Sequence, residues 1–152
     1  MKNGQKLLAL AAAITLVAAT PAHKKKPVIP PATPAAVTHH VARVAGQSIP
    51  YTARAGTITL RNDKEQITAR MFYVAYTKDG ASVNKRPVTF FYNGGPGSST
   101  VWLHMASFSP VRVRTTNGAP TGPAPFTLGN NDYSLLDKTD MVFIDAPNTG
   151  YS

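Results

Sequence analysis

The stretch RPVTFFYNGGPGSSTVWL, residues 86–103, decides how this chain folds. PVTFFY (87–92) is apolar on both faces except at Thr89, as in a strand covered on both sides at the parallel centre of an α/β sheet. NGGPG (93–97) then breaks the run with three glycines and a proline. In SSTVWLHMASF (98–108), Val101, Trp102, Met105 and Phe108 are spaced as one face of a helix. Ser98 or Ser99 is the expected N-cap, and Pro110 follows the expected end. A strand, glycine loop and helix in this order point backbone N–H groups and a positive helix end at one spot. By itself the loop fits equally a tight turn or a cradle for an anion or oxyanion.

Working outward, MVFIDAP (141–147) repeats the pattern of a covered strand, with four apolar residues, an acid and a proline. Upstream, HHVARV, QSIPYTA, GTITLRN and QITARMFYVAYT are short β-prone runs separated by Gly, Asn or Asp. In GTITLRN, Ile58 and Leu60 alternate with Thr57, Thr59 and Arg61, which suits an antiparallel strand with one wet face. Residues 55–76 form a predicted hairpin turning at Asn62 to Lys64, and residues 115–131 a long irregular loop. The expected fold class is therefore α/β, with antiparallel hairpins leading into a mostly parallel sheet. Both covered strands call for neighbouring elements, so residues 38–152 are expected to be the N-terminal portion of a longer domain.

The first 22 residues are set apart. Lys2 and Lys6 precede an uncharged apolar run at 7–19, and small residues offer cleavage after Ala19 or Ala22. This is the layout of a secretory signal, and thirteen residues are too few for a membrane span of about 20. The chain is thus expected to be exported, periplasmic or secreted, with no stable span after cleavage. Residues 23–37, with Lys24, Lys25, Lys26 and several prolines, read as an extended tether. The net charge of +9 does not imply nucleic-acid binding. Five of the basic residues lie in the signal and tether, and the others form no dense stripe. There is no cysteine.

The loop lacks the lysine of a phosphate-binding G-x-x-x-x-G-K-[ST], and the third glycine of G-x-G-x-x-G falls on Thr100. A hydrolase use suits it better, because a backbone N–H in such a loop serves as an oxyanion donor in α/β-hydrolases. Glycine permits close approach of the reacting carbonyl, and Pro96 stiffens the loop. No G-x-S-x-G elbow is present. His23, His39, His40 and His104 read as surface or core residues, and Tyr73 and Tyr76 as packing residues. Asp145 reads as a loop-capping carboxylate beside Pro147. No metal or cofactor is expected.

FYNGGPGSS resembles the W-x-N-G-G-P-G-C-S-S stretch of the serine carboxypeptidase family, peptidase family S10. NDYSLLDKTDMVFIDAPNTGYS is similar to that family's N-x-x-S-W block and the D-x-P-x-G-x-G-[FY]-S that follows it. The resemblance covers roughly residues 38–152 and extends to the lead-in of bacterial members. It implies an α/β-hydrolase fold and a peptidase that acts on peptide or protein C-termini through a seryl intermediate. Gly95 would be the oxyanion donor, and Asn93 and Gly94 would hold the substrate carboxylate. The catalytic serine, aspartate and histidine would all lie downstream. Phe91 or Tyr92, Ser98 and Leu135 stand where the family has Trp, Cys and Trp, and Ser107 lies near a frequent glutamate. An esterase or acyltransferase on the same scaffold and a non-catalytic envelope binding module are the alternatives.

Overall fold

A computed structural model describes residues 33–94, 97–115 and 122–152. The signal and most of the tether lie outside these residues, as does Gly95. Three long strands come first: β1 (Ala36–Val44), β2 (Gln47–Arg61) and β3 (Ile67–Lys78). They pair antiparallel in sequence order. β4 (Val88–Tyr92) precedes the glycine loop, and β7 (Asp140–Ile144) comes last. In the sheet β7 lies between β3 and β4, antiparallel to the first and parallel to the second. The result is a mixed α/β arrangement with a five-stranded sheet, in which the antiparallel opening leads into one parallel pair.

Several boundaries differ from expectation. β1 starts at Ala36, so the last two residues of the expected tether are already sheet. QSIPYTA and GTITLRN form one 15-residue strand instead of two. The glycine that seemed to divide them, Gly56, pairs with Tyr73, whose hydroxyl would lie 3.2 Å from a Cβ at that position. Gly56 therefore makes room for an aromatic ring and does not turn the chain. Ile58 is exposed, contrary to the alternation in GTITLRN. Among the described residues no other strand pairs with this hairpin beyond Ala55 on β2 and Tyr73 on β3. The expected irregular loop contains β6 (Leu128–Asn130), which pairs antiparallel with β5 (Val111–Val113).

The core sits at the other end of the long strands. Ala42, Val44, Ile49, Tyr51, Tyr76, Phe91, Leu136, Met141 and Phe143 are buried together. Phe91 and Phe143 stack at 4.6 Å across the parallel pair, and Phe108 stacks on Phe91 at 5.2 Å. β4 is an edge strand here, with Val88, Phe90 and Tyr92 exposed on its second face. Its apolar character on both sides, legible in the sequence, is matched by cover on one side only.

At the base of the sheet, Asp140 Oδ1 accepts from Arg86 Nε at 2.9 Å and from the Lys78 N–H at 3.0 Å. An Arg86 amino group also donates to Leu136 O at 2.8 Å. With both side chains mostly buried, this ion pair fixes the starts of β4 and β7 relative to the end of β3. The two strands therefore emerge in register at the other end, where the glycine loop begins.

Candidate active-site loop

The helix after the loop is short and irregular. One turn, α1 (Val101–Leu103), passes into a π turn at His104–Phe108, where the Ser109 N–H reaches His104 O. Such i→i+5 turns are rare and frequent at functional sites. The change of pitch also alters which side chains face inward. Val101 and Trp102, expected on the buried face, are exposed, while Leu103 and Phe108 pack against the core. His104 takes a position that 3.6-residue spacing did not assign to the interior.

Helix capping also differs from the sequence expectation. The N-cap is Thr100, and its side chain makes no cap bond. Its hydroxyl donates to Ile144 O at the end of β7 and accepts from the Asn93 N–H at 3.2 Å. Its own N–H donates to Asp145 Oδ1 at 2.8 Å. The carboxylate that secures the helix start thus comes from 45 residues further along the chain. Asp145 is buried, and its Oδ2 accepts the Tyr151 N–H at 3.1 Å. The loop-capping role expected of Asp145 is observed, together with a second bond to the opposite loop. Gly150 is required beneath it: the backbone there has φ +49°, and a Cβ would lie 2.0 Å from Asp145 Oδ2.

The Ser152 hydroxyl donates to Asp145 O and accepts from the Phe72 N–H, both at 2.7 Å. With both roles taken by backbone groups, this serine closes the loop.

Of the three expected site residues, two are described. Asn93 Nδ2 donates to Ser98 Oγ at 2.7 Å and to Ser99 O at 3.2 Å. The Gly94 N–H donates to Asn93 Oδ1 at 2.9 Å. The donors assigned to a substrate carboxylate therefore bind the loop to itself in this state. Ser98, at the position of the family's cysteine, accepts the shorter of the amide's bonds. Gly95 lies outside the described residues.

A cleft of about 440 Å³ opens between these loops, lined by Phe72, Val74, Ser99, Thr100, His104, Phe143, Asp145 and Tyr151, among others. One lining residue is His104, whose ring stacks on Phe143 at 4.5 Å and whose Nε2 lies 2.7 Å from the Tyr76 hydroxyl. Burial lowers the His104 pKa to about 4, against a smaller opposing pull from Asp145. Burial, with Tyr51 nearby, raises the Tyr76 phenol. At neutral pH both groups are uncharged and share one proton in their hydrogen bond. Tyr76 is a buried packing residue, as expected, and His104 is half-buried beside it. Their pairing was not legible, because it joins β3 to a helix position that only the π turn brings inward.

The N-x-x-S block secures the far end of the helix. Asn131 is fully buried and donates to Ser107 O at 2.5 Å and Ser109 O at 2.9 Å, while Ser134 Oγ donates to Phe108 O at 2.9 Å. Three carbonyls at the helix end are satisfied by two side chains three residues apart. His39 and His40 lie on β1. His39 Nδ1 is 3.0 Å from Thr52 Oγ1, and His40 stacks on Tyr51. Among the described residues no helix is long and apolar enough to cross a membrane.

Comparison with known proteins places this architecture in a family. The model of the serine carboxypeptidase family, Peptidase S10, matches residues 45–152. This chain belongs to the serine carboxypeptidase family. It is 33% identical over 97 residues to the pheromone-processing carboxypeptidase KEX1 of Coprinopsis cinerea, covering 63% of this chain and 14% of that protein. It is 30% identical over 87 residues to serine carboxypeptidase-like 33 of Arabidopsis thaliana, covering 57% of this chain and 16% of that protein. The KEX1 of Saccharomyces cerevisiae is 30% identical over 104 residues, covering 64% of this chain and 13% of that protein. The chain thus spans roughly one seventh of the length of these relatives.

Proposed function

We propose that this chain is the N-terminal part of an exported serine carboxypeptidase of the α/β-hydrolase fold. It supplies the oxyanion and substrate-carboxylate loop, and the Ser-Asp-His triad comes from residues beyond 152. The observation that carries the reading is the clasp at Asp145. One carboxylate holds the loop after β4 and the loop after β7 against each other, at the carboxyl ends of two adjacent parallel strands. Ligands of open α/β sheets bind in that location, and both family motifs meet there.

In this reading the Gly95 N–H stabilises the tetrahedral oxyanion, a contribution worth about 2.7–4 kcal/mol for one well-placed donor. Gly94 and Asn93 hold the C-terminal carboxylate of a peptide, with neutral donors suited to an anion. To do so they exchange their bonds within the loop for bonds to substrate. Acylation of the downstream serine and attack by water on the acyl-enzyme complete the cycle. The test is hydrolysis by the full-length protein of an N-blocked dipeptide and of its C-terminal amide. Turnover of the free acid with little of the amide is expected. Equal turnover of both, or of neither, would reject the carboxypeptidase reading.

A second reading, an esterase or acyltransferase, is favoured by one observation. The Asn93 amide is fully engaged inside the loop, and Ser107 brings no carboxylate near it. Cleavage of simple aryl esters without any cleavage of the dipeptide would support that reading instead.

A further inference from the structure

We propose that the pocket at the β5–β6 hairpin binds a phosphate group, borne by a small phosphate ester or by a lipid headgroup. The proposal is independent of the catalytic reading above. Arg43 on β1, Arg112 on β5 and Arg114 just after β5 line one cavity of about 470 Å³, together with Asn130, Asp132 and Tyr133. Among the described residues none of the three arginines makes an ion pair, although Arg86, Arg61 and Lys138 do. Three guanidinium charges therefore face a single carboxylate, Asp132, across one cavity. All three arginines are exposed, so water screens much of their mutual repulsion, and their guanidinium forks stay free to match phosphate oxygens in pairs.

The pocket is built for these side chains. The Arg114 guanidinium lies over Gly129, where a Cβ would come within 2.3 Å of Nε. Arg112 is held over the Tyr133 ring at 5.7 Å. The Arg43 N–H donates to Asn130 Oδ1 at 3.3 Å, which turns the acceptor of that amide to the backbone and leaves its NH₂ to donate. The cavity is larger than a bare phosphate needs, which leaves room for an esterified organic group beside Tyr133. Phosphate is preferred over a single carboxylate because its three or more acceptor oxygens offer each of three separate guanidinium groups an oxygen of its own, which the two oxygens of a carboxylate do not.

The test is titration calorimetry on the full-length protein at low ionic strength, where screening is weak. Three probes are used: inorganic phosphate, glycerol phosphate, and vesicles of phosphatidylglycerol compared with phosphatidylcholine. Saturable binding of a phosphate form is expected, weakened about tenfold or more by Arg112→Gln together with Arg114→Gln. Arg54→Gln, exposed and outside the pocket, should leave binding unchanged, and Asp132→Asn should tighten it. Binding of glycerol phosphate or inorganic phosphate assigns a soluble ester. Binding of anionic vesicles alone assigns a headgroup. Absence of saturable binding with all probes, or equal binding by the double variant and wild type, overturns the proposal. If the glutamine pair fails to fold, Arg112→Lys with Arg114→Lys keeps the charge but loses the fork. Unaltered binding by that pair also overturns it.

Discussion

Replacing Asp145 by alanine tests whether the two loops are one mechanical unit. The substitution removes the acceptor for the Thr100 N–H, which is buried, and for the Tyr151 N–H, which belongs to an exposed residue. An orphaned buried donor costs about 1–3 kcal/mol, whereas a donor that water can reach loses about 1. The expected destabilisation is therefore about 2–4 kcal/mol. Asp145→Asn keeps one carbonyl acceptor but turns an NH₂ toward the other donor, and should cost about half as much. Gly150→Ala acts on the same contact from the other side, because its Cβ would lie 2.0 Å from Asp145 Oδ2 at φ +49°. Once the carboxylate is gone that clash disappears, so the double variant should be less destabilised than the sum of the singles. The assay is urea unfolding of the full-length protein, read as the midpoint with the slope held under observation. A loss below about 0.5 kcal/mol for Asp145→Ala, or strict additivity of the pair, would refute the clasp.

Three other outcomes are expected. His104 titrates at about 4 in the folded chain against its ordinary 6.5, so on acidification the unfolded state takes up the proton first. Stability from this group is complete above pH 6.5 and lost toward pH 4, by at most about 3 kcal/mol; His104→Gln should flatten that part of a urea-midpoint profile, and an unchanged profile would contradict the assignment. Asn131→Ala leaves the Ser107 and Ser109 carbonyls without their donor and should cost about 2–4 kcal/mol; Asn131→Asp, which sets a carboxylate against them, should cost more, and chemical denaturation that ranks them otherwise would overturn the helix-end role. Under the proposed function, Asn93→Ala should lower kcat/KM of the full-length protein about tenfold or more, beyond what the loss of its loop bonds takes from the urea midpoint, and an unchanged kcat/KM would recast Asn93 as purely structural.

The parts of the fold that could be read in the sequence were those set by local pattern. Strands at PVTFFY and MVFIDA, the hairpin turning near Asn62 and the loop at NGGPG follow from apolar runs and glycines within a few residues of each other, although PVTFFY is covered on one face only. What could not be read depends on partners distant in sequence. Gly56 looked like a break and proved to be the seat of Tyr73, 17 positions later in the register. Trp102 looked buried because helical periodicity assumes 3.6 residues per turn, and the π turn at His104–Phe108 breaks that assumption. Ser98 and Ser99 looked like caps, while the carboxylate that secures the helix start is Asp145. The N-x-x-S spacing carried a signal, since two small polar residues three apart suit a pair of backbone carbonyls. Which helix they served became visible only in three dimensions.

The placement of Thr100 explains why the loop after β4 and the loop after β7 carry their motifs together. Its hydroxyl joins Asn93 to Ile144, and its N–H joins the helix start to Asp145. A residue that bonds to both strand ends at once cannot move with one of them alone. Any shift of the DAPNTGYS loop is therefore transmitted to the NGGPG loop through two short hydrogen-bonded steps. Chains with a cysteine after the motif have a different residue at this junction; here Ser98 supplies a hydroxyl acceptor for the Asn93 amide. Under the proposed function, that bond would be exchanged when a substrate carboxylate arrives. In that reading the same amide would hold the empty loop in shape and bind the substrate's terminus. This requires Ser98→Ala to change KM for a free-acid peptide while leaving the Asp145 clasp, and hence the unfolding midpoint, nearly unaltered.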